Sequence, residues 1–181
     1  SCRFNDDDTA SMTRTPSSAG NLRAFTMSFW IKRGNITDQQ IIYNAKANSY
    51  LEFDGSDILS LYTYDSGSTR KILTQVFRDP TAWMHIVLAF DTENAVAADR
   101  TIFYINGVRV TNFSTDTPVA QDTDMSWTND EQQRWGLYQT STSITLDAYL
   151  SQCCMIDGLT LTPTSFGEFD DNGVWRPIDV S

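Results

Sequence analysis

The sequence predicts an all-β fold, an antiparallel β-sandwich of the jelly-roll type, in one domain spanning residues 1–181. Short runs rich in β-branched and aromatic residues recur along the chain, separated roughly every 8–12 residues by Gly, Asn, Asp and Pro turn signals. Residues 25–32 alternate apolar and polar side chains, which is the period of a half-buried strand. The chain has no amphipathic helix of useful length. An open β-barrel is the alternative architecture.

The strongest strand signals lie in residues 25–32 and 83–110. In the first run Phe25, Met27, Phe29 and Ile31 share one face. Residues 83–90 are almost continuously apolar, which is typical of a buried strand. Residues 100–110 contain Asn106-Gly107, the preferred pair for a type I′ turn, because both central positions need positive φ. This turn predicts a hairpin that returns residues 108–110 beside residues 103–105.

The remaining runs are shorter. They predict strands at residues 40–44, 50–53, 58–64, 71–77, 134–139 and 147–161, and a small hairpin or extended arm at 169–178. Residues 111–131 are polar and predict a long irregular surface excursion. The segments 1–16 and 166–181 are interpreted as extended arms, at least one of which reaches a neighbouring subunit.

Composition excludes several classes of partner. The net charge of −10 and the pI of about 4.3 argue against nonspecific binding to nucleic acid or to an anionic membrane. No apolar run reaches the roughly 18 residues of a membrane-spanning helix, so membrane insertion is not expected. The three cysteines are interpreted as reduced, mostly buried thiols. A disulfide from Cys2 to Cys153 or Cys154 remains an alternative.

Four phrases occur in an order that resembles the laminin-G/concanavalin A-like jelly-roll family. They are residues 25–32, 83–87, 102–107 and 155–159, which read FTMSFWIK, WMHIV, IFYING and MIDGL. The resemblance extends over nearly the whole chain and implies the sandwich described above. Domains of this family often hold Ca²⁺ at a loop edge through oxygen ligands, so the resemblance also implies a candidate Ca²⁺ site.

Two further stretches resemble jelly-roll domains in structural proteins of tailed bacteriophages. They are residues 3–8 with 13–16, and residues 166–168 with 173–177. This resemblance implies a non-enzymatic protein of the phage particle surface, assembled in the host cytoplasm, that acts as a capsid decoration, fibre or fibre-tip component. Its expected partners are other virion proteins, copies of itself and a host surface glycan. The alternative is a lectin-like module that recognises such a glycan, with or without Ca²⁺.

A glycan or partner surface requires aromatic rings beside polar groups, because the apolar face of a sugar stacks on a ring while its hydroxyls need hydrogen-bond partners. The polar segment near residue 127 meets this requirement, and Trp30, Tyr62 and Tyr64 are further candidates on an outer sheet face. The predicted surface consists of Trp127, Trp135, Tyr138, Asp122, Asp124 and Asn129.

Ca²⁺ prefers six to eight oxygen ligands, so pairs of acidic residues at turns are its candidate ligands. The predicted metal ligands are Asp54 with Asp57 and Asp170 with Asp171, and no cofactor is otherwise predicted. Catalysis is not expected. The four glutamates are scattered and none forms the Glu-x-Asp-x-x-Glu strand of the glucanases in this family. The single histidine, His85, lies within a predicted strand with no nucleophile motif nearby.

Overall fold

A computed structural model describes residues 1–46, 49–65, 67–139 and 141–179. Two large antiparallel sheets pack face to face, which confirms the predicted all-β sandwich. Within the described residues the helical segments are short 3₁₀ turns at Asp6–Asp8, Ala97–Asp99, Ser126–Thr128 and Pro163–Ser165. None of the described helices is long and apolar enough to span a membrane.

Six strands form the first sheet, in the spatial order β1-β13-β3-β8-β9-β10. Their bounds are β1 Cys2–Phe4, β3 Ala24–Arg33, β8 Met84–Asp91, β9 Thr101–Ile105, β10 Val108–Arg109 and β13 Ala148–Asp157.

Seven strands form the second sheet, in the order β11-β7-β6-β5-β4-β12-β2, and a separate hairpin pairs β14 with β15. The bounds are β2 Met12–Arg14, β4 Gln40–Lys46, β5 Ser49–Phe53, β6 Ile58–Thr63, β7 Thr69–Val76, β11 Phe113–Thr117, β12 Gln133–Trp135, β14 Gly167–Phe169 and β15 Trp175–Pro177.

The core lies between the two large sheets. Alternate residues of β3, from Phe25 to Ile31, are fully buried and face the apolar residues of the second sheet, as the alternation predicted. The Asn106-Gly107 turn has φ of +48° and +81°, and Val108 pairs with Ile105, so the predicted hairpin is confirmed.

The outer face of the six-stranded sheet is also covered. Trp30 is only 7% exposed and His85 is fully buried, although both lie on this outer face. Trp175 of the β14–β15 hairpin stacks near His85, and its Nε1 donates a hydrogen bond to His85 Nδ1 at 3.0 Å. The C-terminal segment therefore closes a second, smaller hydrophobic layer.

Both segments that the sequence predicted as arms pack on this domain. β1 pairs with β13 and β2 pairs with β12, while the β14–β15 hairpin covers the outer face of the six-stranded sheet. Residues 180 and 181 of the predicted C-terminal arm lie outside the described residues. Contact of either segment with a neighbouring subunit stays a prediction.

Other details differ from the sequence-based expectation. The segment 111–131 is not wholly irregular, because it contributes edge strand β11. Trp83 is 39% exposed, since the strand begins one residue later at Met84. Cys2 is exposed, and Cys153 and Cys154 are half-buried, so the prediction of mostly buried thiols is wrong; all three are free.

Candidate functional site

Tyrosine side chains collect on the outer face of the seven-stranded sheet. Leu51 and Leu61 pair across β5 and β6 and point into the core, so the residues that alternate with them point outward. Tyr50 pairs with Tyr62, and Tyr62 pairs with Arg70 on β7. We call this surface the tyrosine face; it consists of Tyr50, Tyr62, Tyr64, Arg70 and Tyr138.

The rings of the tyrosine face form a continuous row. The Tyr50 and Tyr62 rings stack with their centroids 5.0 Å apart, and the Tyr138 ring meets Tyr50 edge to face at 5.4 Å. The Arg70 guanidinium lies 5.4 Å from the Tyr62 centroid and donates to the Tyr64 hydroxyl at 3.3 Å. The row therefore combines apolar ring surface with phenolic hydroxyls and one cation.

A buried acid lies on the same side of the sheet. Glu52 is only 3% exposed, and its Oε2 accepts a hydrogen bond of 2.7 Å from Gln39 Nε2. Burial raises the pKa of the Glu52 carboxyl to about 7. Ser60 pairs directly with Glu52 across the strands, and its buried hydroxyl has no hydrogen-bond partner. Glu52 and Ser60 are shielded from solvent, so of these groups Gln39 is the one exposed beside the row of rings.

This combination suits a polyhydroxylated ligand. Phenol hydroxyls and the Gln39 amide both donate and accept, and a guanidinium donates. Tyrosine provides rigid amphipathic contact area with little loss of side-chain entropy. The arrangement can therefore hold a ring-shaped polar molecule by stacking and hydrogen bonding, without any covalent step.

The structure divides the predicted glycan surface among three places. Tyr138 contributes to the tyrosine face. Trp127 is fully buried and stacks on Tyr43 at 5.4 Å, so the prediction of Trp127 as a sugar platform is wrong. Polar neighbours in the sequence suggested a surface loop, but its short 3₁₀ turn directs the indole into the core. Trp135 is half-buried and packs against Phe29 between the sheets.

The polar members of the predicted surface lie elsewhere. Asp124 and Asp122 are exposed and pair with Arg23, at 2.6 and 3.7 Å from its guanidinium nitrogens. Asn129 accepts the backbone N–H of Glu131 through Oδ1, which makes it a turn-stabilising residue. The predicted surface is therefore not assembled as one site.

The predicted metal ligands have structural roles instead. Asp57 is fully buried between Arg33 and Arg78, at 2.9 and 2.8 Å. Burial acts to raise the Asp57 pKa, but the Thr37 N–H and the two guanidiniums outweigh it, so this pKa lies below its ordinary value. Asp57 is thus already neutralised and is not available to a cation, which corrects the prediction.

Two of the other three predicted ligands, Asp54 and Asp170, stabilise turns. Asp54 Oδ1 accepts the N–H groups of Ser56 and Ile58, and Asp170 Oδ1 accepts those of Asn172 and Val174. Asp171 is exposed. Among the described residues, no cluster of three or more His, Cys, Asp or Glu side chains could hold a metal ion.

His85 has a buried environment that suits packing. Its Nε2 contacts Ser28 Oγ at 2.9 Å, and its Nδ1 accepts from Trp175. Because Nδ1 is an acceptor, the neutral ring carries its proton on Nε2 and donates to Ser28. Both His85 and Ser28 are shielded from solvent, so this contact is not an accessible nucleophile and base.

The sequence interpretation named Tyr62, Tyr64 and Tyr138 but missed Tyr50, Glu52 and Arg70. A two-residue Asp54-Gly55 turn would pair Tyr50 with Leu59. The actual loop keeps residues 54–57 out of the ladder and pairs Tyr50 with Tyr62. Only the true register places the tyrosines side by side, and the sequence carried no clear signal of that register.

Comparisons with known proteins agree with this architecture. A laminin-G family model, described as the concanavalin A-like lectin/glucanases superfamily, matches residues 6–147. No protein with curated annotation shows significant sequence similarity to the chain.

Solved structures share the fold at low sequence identity. Mouse laminin α1 domains LG4-5 align at TM-score 0.58 and 11% identity, over 99% of this chain and 44% of theirs. A protein described as carbohydrate-binding from Bacteroides ovatus aligns at 0.58 and 13%, over 99% and 61%. Domain 4 of the arabinanase AbnA from Geobacillus stearothermophilus, solved with arabinotriose, aligns at 0.54 and 14%, over 82% and 66%. The chain thus spans less than two thirds of each of these structures.

Because the family model covers most of the chain, the chain belongs to the concanavalin A-like lectin/glucanases superfamily.

Proposed function

We propose that this protein is a non-enzymatic saccharide-binding domain and that the tyrosine face is its binding surface. The observation that carries the proposal is the continuous row of Tyr138, Tyr50, Tyr62 and Arg70 beside the exposed Gln39, which donates to the buried Glu52. A sugar ring presents apolar C–H faces to the aromatic surface and hydroxyls to the phenols, the Gln39 amide and the guanidinium.

Two of the structural relatives support this proposal at the level of ligand class. One is described as carbohydrate-binding, and another was solved with arabinotriose. A multi-strand sheet also provides a rigid support for such a surface, because Tyr50 and Tyr62 lie on strands that are paired on both sides.

The tyrosine face makes the lectin-like alternative the better supported of the two predicted functions. A role on the surface of a phage particle stays a prediction that rests on the resemblance of the terminal segments. A saccharide-binding domain is compatible with that role, since recognition of a host surface glycan would be its contribution to attachment.

The test is a glycan array followed by calorimetric titration of the best neutral oligosaccharide. The variant Tyr62→Ala removes the central ring of the row and should weaken binding at least about tenfold, or about 1.4 kcal/mol. The matched control is Tyr149→Ala. Tyr149 is likewise a strand tyrosine with a guanidinium over its ring, from Arg3 at 5.0 Å, but it lies on β13 of the other sheet.

Circular dichroism must show that both variants are folded. The proposal is wrong if no saccharide binds, or if Tyr62→Ala and Tyr149→Ala weaken binding equally. The polar contribution is tested separately by Arg70→Gln, which keeps all four rings and should still reduce affinity.

A further inference from the structure

A second candidate site lies at the end of the sandwich away from the tyrosine face. A solvent-open cavity of about 260 Å³ lies among the last residues of β3, the last residues of β7 and the β9–β10 turn. Arg70 and Val76 mark the two ends of β7, so the tyrosine face and this end cavity are about 20 Å apart along the strand. The two sites are therefore separate.

A buried arginine lines the end cavity. Arg33 is only 3% exposed, and its guanidinium stacks 4.3 Å from the Phe53 centroid. Its Nη1 donates to Asp57 Oδ1 at 2.9 Å and to the Phe77 carbonyl at 2.6 Å. Its Nε and Nη2 are buried and have no hydrogen-bond partner. Unsatisfied charged donors of this kind are costly in a folded protein. Because both nitrogens are out of contact with solvent, Arg33 contributes its positive charge to the cavity wall.

A second arginine lines the same cavity from the solvent side. The side chain of Arg78 is 60% exposed, and its Nε donates to Asp57 Oδ2 at 2.8 Å. Asp57 thus accepts hydrogen bonds from both guanidiniums, and these three groups carry one net positive charge beside the carboxylate of Asp79 on the cavity wall.

The remaining walls of the end cavity are mainly apolar. Trp83 is 39% exposed and offers an indole ring, and Ile31, Met84 and Ile105 add aliphatic surface. Small-molecule sites in proteins combine apolar walls with a few placed polar groups in the same way, in volumes from about 300 Å³ upward. The end cavity, at 260 Å³, lies just below that range, so its occupant must be small.

We propose that the end cavity binds an organic monocarboxylate carried on a single six-membered ring, with Arg78 binding the carboxylate, the buried charge of Arg33 supporting it and Trp83 covering the ring. Guanidinium groups bind carboxylates through paired, charge-assisted hydrogen bonds. Asp79 also lines the cavity, and its negative charge favours a monoanion over a dianion such as sulfate. A sugar acid and an aromatic carboxylic acid share this chemistry.

The experiment is a calorimetric titration of the full chain with galacturonate and with benzoate, each at constant ionic strength. Galactose supplies the same type of ring without a carboxylate, and sulfate supplies an anion without a ring. Arg78→Gln removes the exposed guanidinium. Arg176→Gln is the matched control, because Arg176 is 56% exposed and pairs with Glu168 at 3.0 Å on the distant C-terminal hairpin.

At least one of the two carboxylates should bind at one site per chain, and Arg78→Gln should weaken it by about tenfold or more while Arg176→Gln leaves it unchanged. Trp83→Ala should weaken binding as well, which provides a second variant that leaves the buried ion pairs intact.

Preference for galacturonate identifies a sugar acid as the source, and preference for benzoate identifies an aromatic acid. The proposal is overturned if neither carboxylate binds, if sulfate binds equally well, or if both arginine variants behave alike. Neutral glycan binding is measured separately, so failure here is distinguishable from failure of the tyrosine face.

Discussion

Glu52 is a carboxyl group held in an almost water-free position, and its protonation must therefore affect stability. Its pKa rises from 4.5 to about 7 in the folded state, so the folded protein binds this proton more tightly than the unfolded chain does. The free energy of unfolding therefore falls as the pH rises from 4.5 to 7, by about 3 kcal/mol in total. Glu52→Gln should remove this loss and raise the free energy of unfolding at pH 8, with little effect at pH 4.

Urea denaturation at the two pH values measures this difference. The control is Glu131→Gln, which changes a partly exposed glutamate and should leave the pH dependence as in the wild type. An equal effect of Glu52→Gln at pH 4 and pH 8 would show that the carboxyl is not desolvated as described.

His85 has the opposite pH dependence. Burial lowers its pKa from 6.5 to about 4, so the unfolded chain binds the proton more tightly. Above pH 6.5 this group leaves the free energy of unfolding unchanged. As the pH falls from 6.5 towards 4, the free energy of unfolding decreases, again by about 3 kcal/mol. Because the chain has one histidine, NMR titration of its ring follows this group directly. We expect a midpoint near pH 4, and a midpoint near 6.5 would contradict the buried, Trp175-bonded ring.

At the scale of elements, the β14–β15 hairpin depends on one side chain. Trp175 is 8% exposed, contacts His85, and lies so close to Gly107 that a Cβ there would come within 2.4 Å of its ring. Trp175→Ala should therefore destabilise the protein by about 3–5 kcal/mol. Phe169→Ala is the control on the same hairpin, because Phe169 is 52% exposed and should cost much less. Thermal denaturation compares the two, and equal losses would mean that the hairpin is not anchored through Trp175.

The β14–β15 hairpin also illustrates which parts of the fold are determined by the local sequence and which are not. The alternation in β3 and the Asn106-Gly107 turn specify a strand and a hairpin by themselves, so both were predicted. Burial of Trp30 on the outer face was not predictable, because the covering segment is more than 120 residues away in the chain and has no periodic pattern. The tyrosine face is a similar case, since its rings meet only through the register of β5 and β6.

Across the whole molecule, the two proposed sites differ in what the sequence could reveal. Aromatic residues are visible as candidates in a sequence, and Tyr62, Tyr64 and Tyr138 were named on that ground. The cluster of Arg33, Asp57 and Arg78 was not found, because its members are far apart in the chain and Asp57 looked like an ordinary turn residue. Its signal is the unpaired donors of a buried guanidinium, which only the folded structure provides.

The net charge of −10 makes a last prediction for the whole molecule. At pH 7 the negative charges repel one another in the compact state more than in the expanded unfolded chain. Raising the ionic strength from about 10 mM to about 150 mM shortens the Debye length to about 8 Å and screens this repulsion, so the melting temperature should rise. Near pH 4.3, the isoelectric point, the repulsion vanishes while ion pairs such as Arg23–Asp124 are still screened, so the rise should disappear or reverse. Differential scanning calorimetry at the two pH values and two salt concentrations makes the comparison. A fall in melting temperature with salt at pH 7 would mean that favourable ion pairs outweigh the net repulsion in this fold.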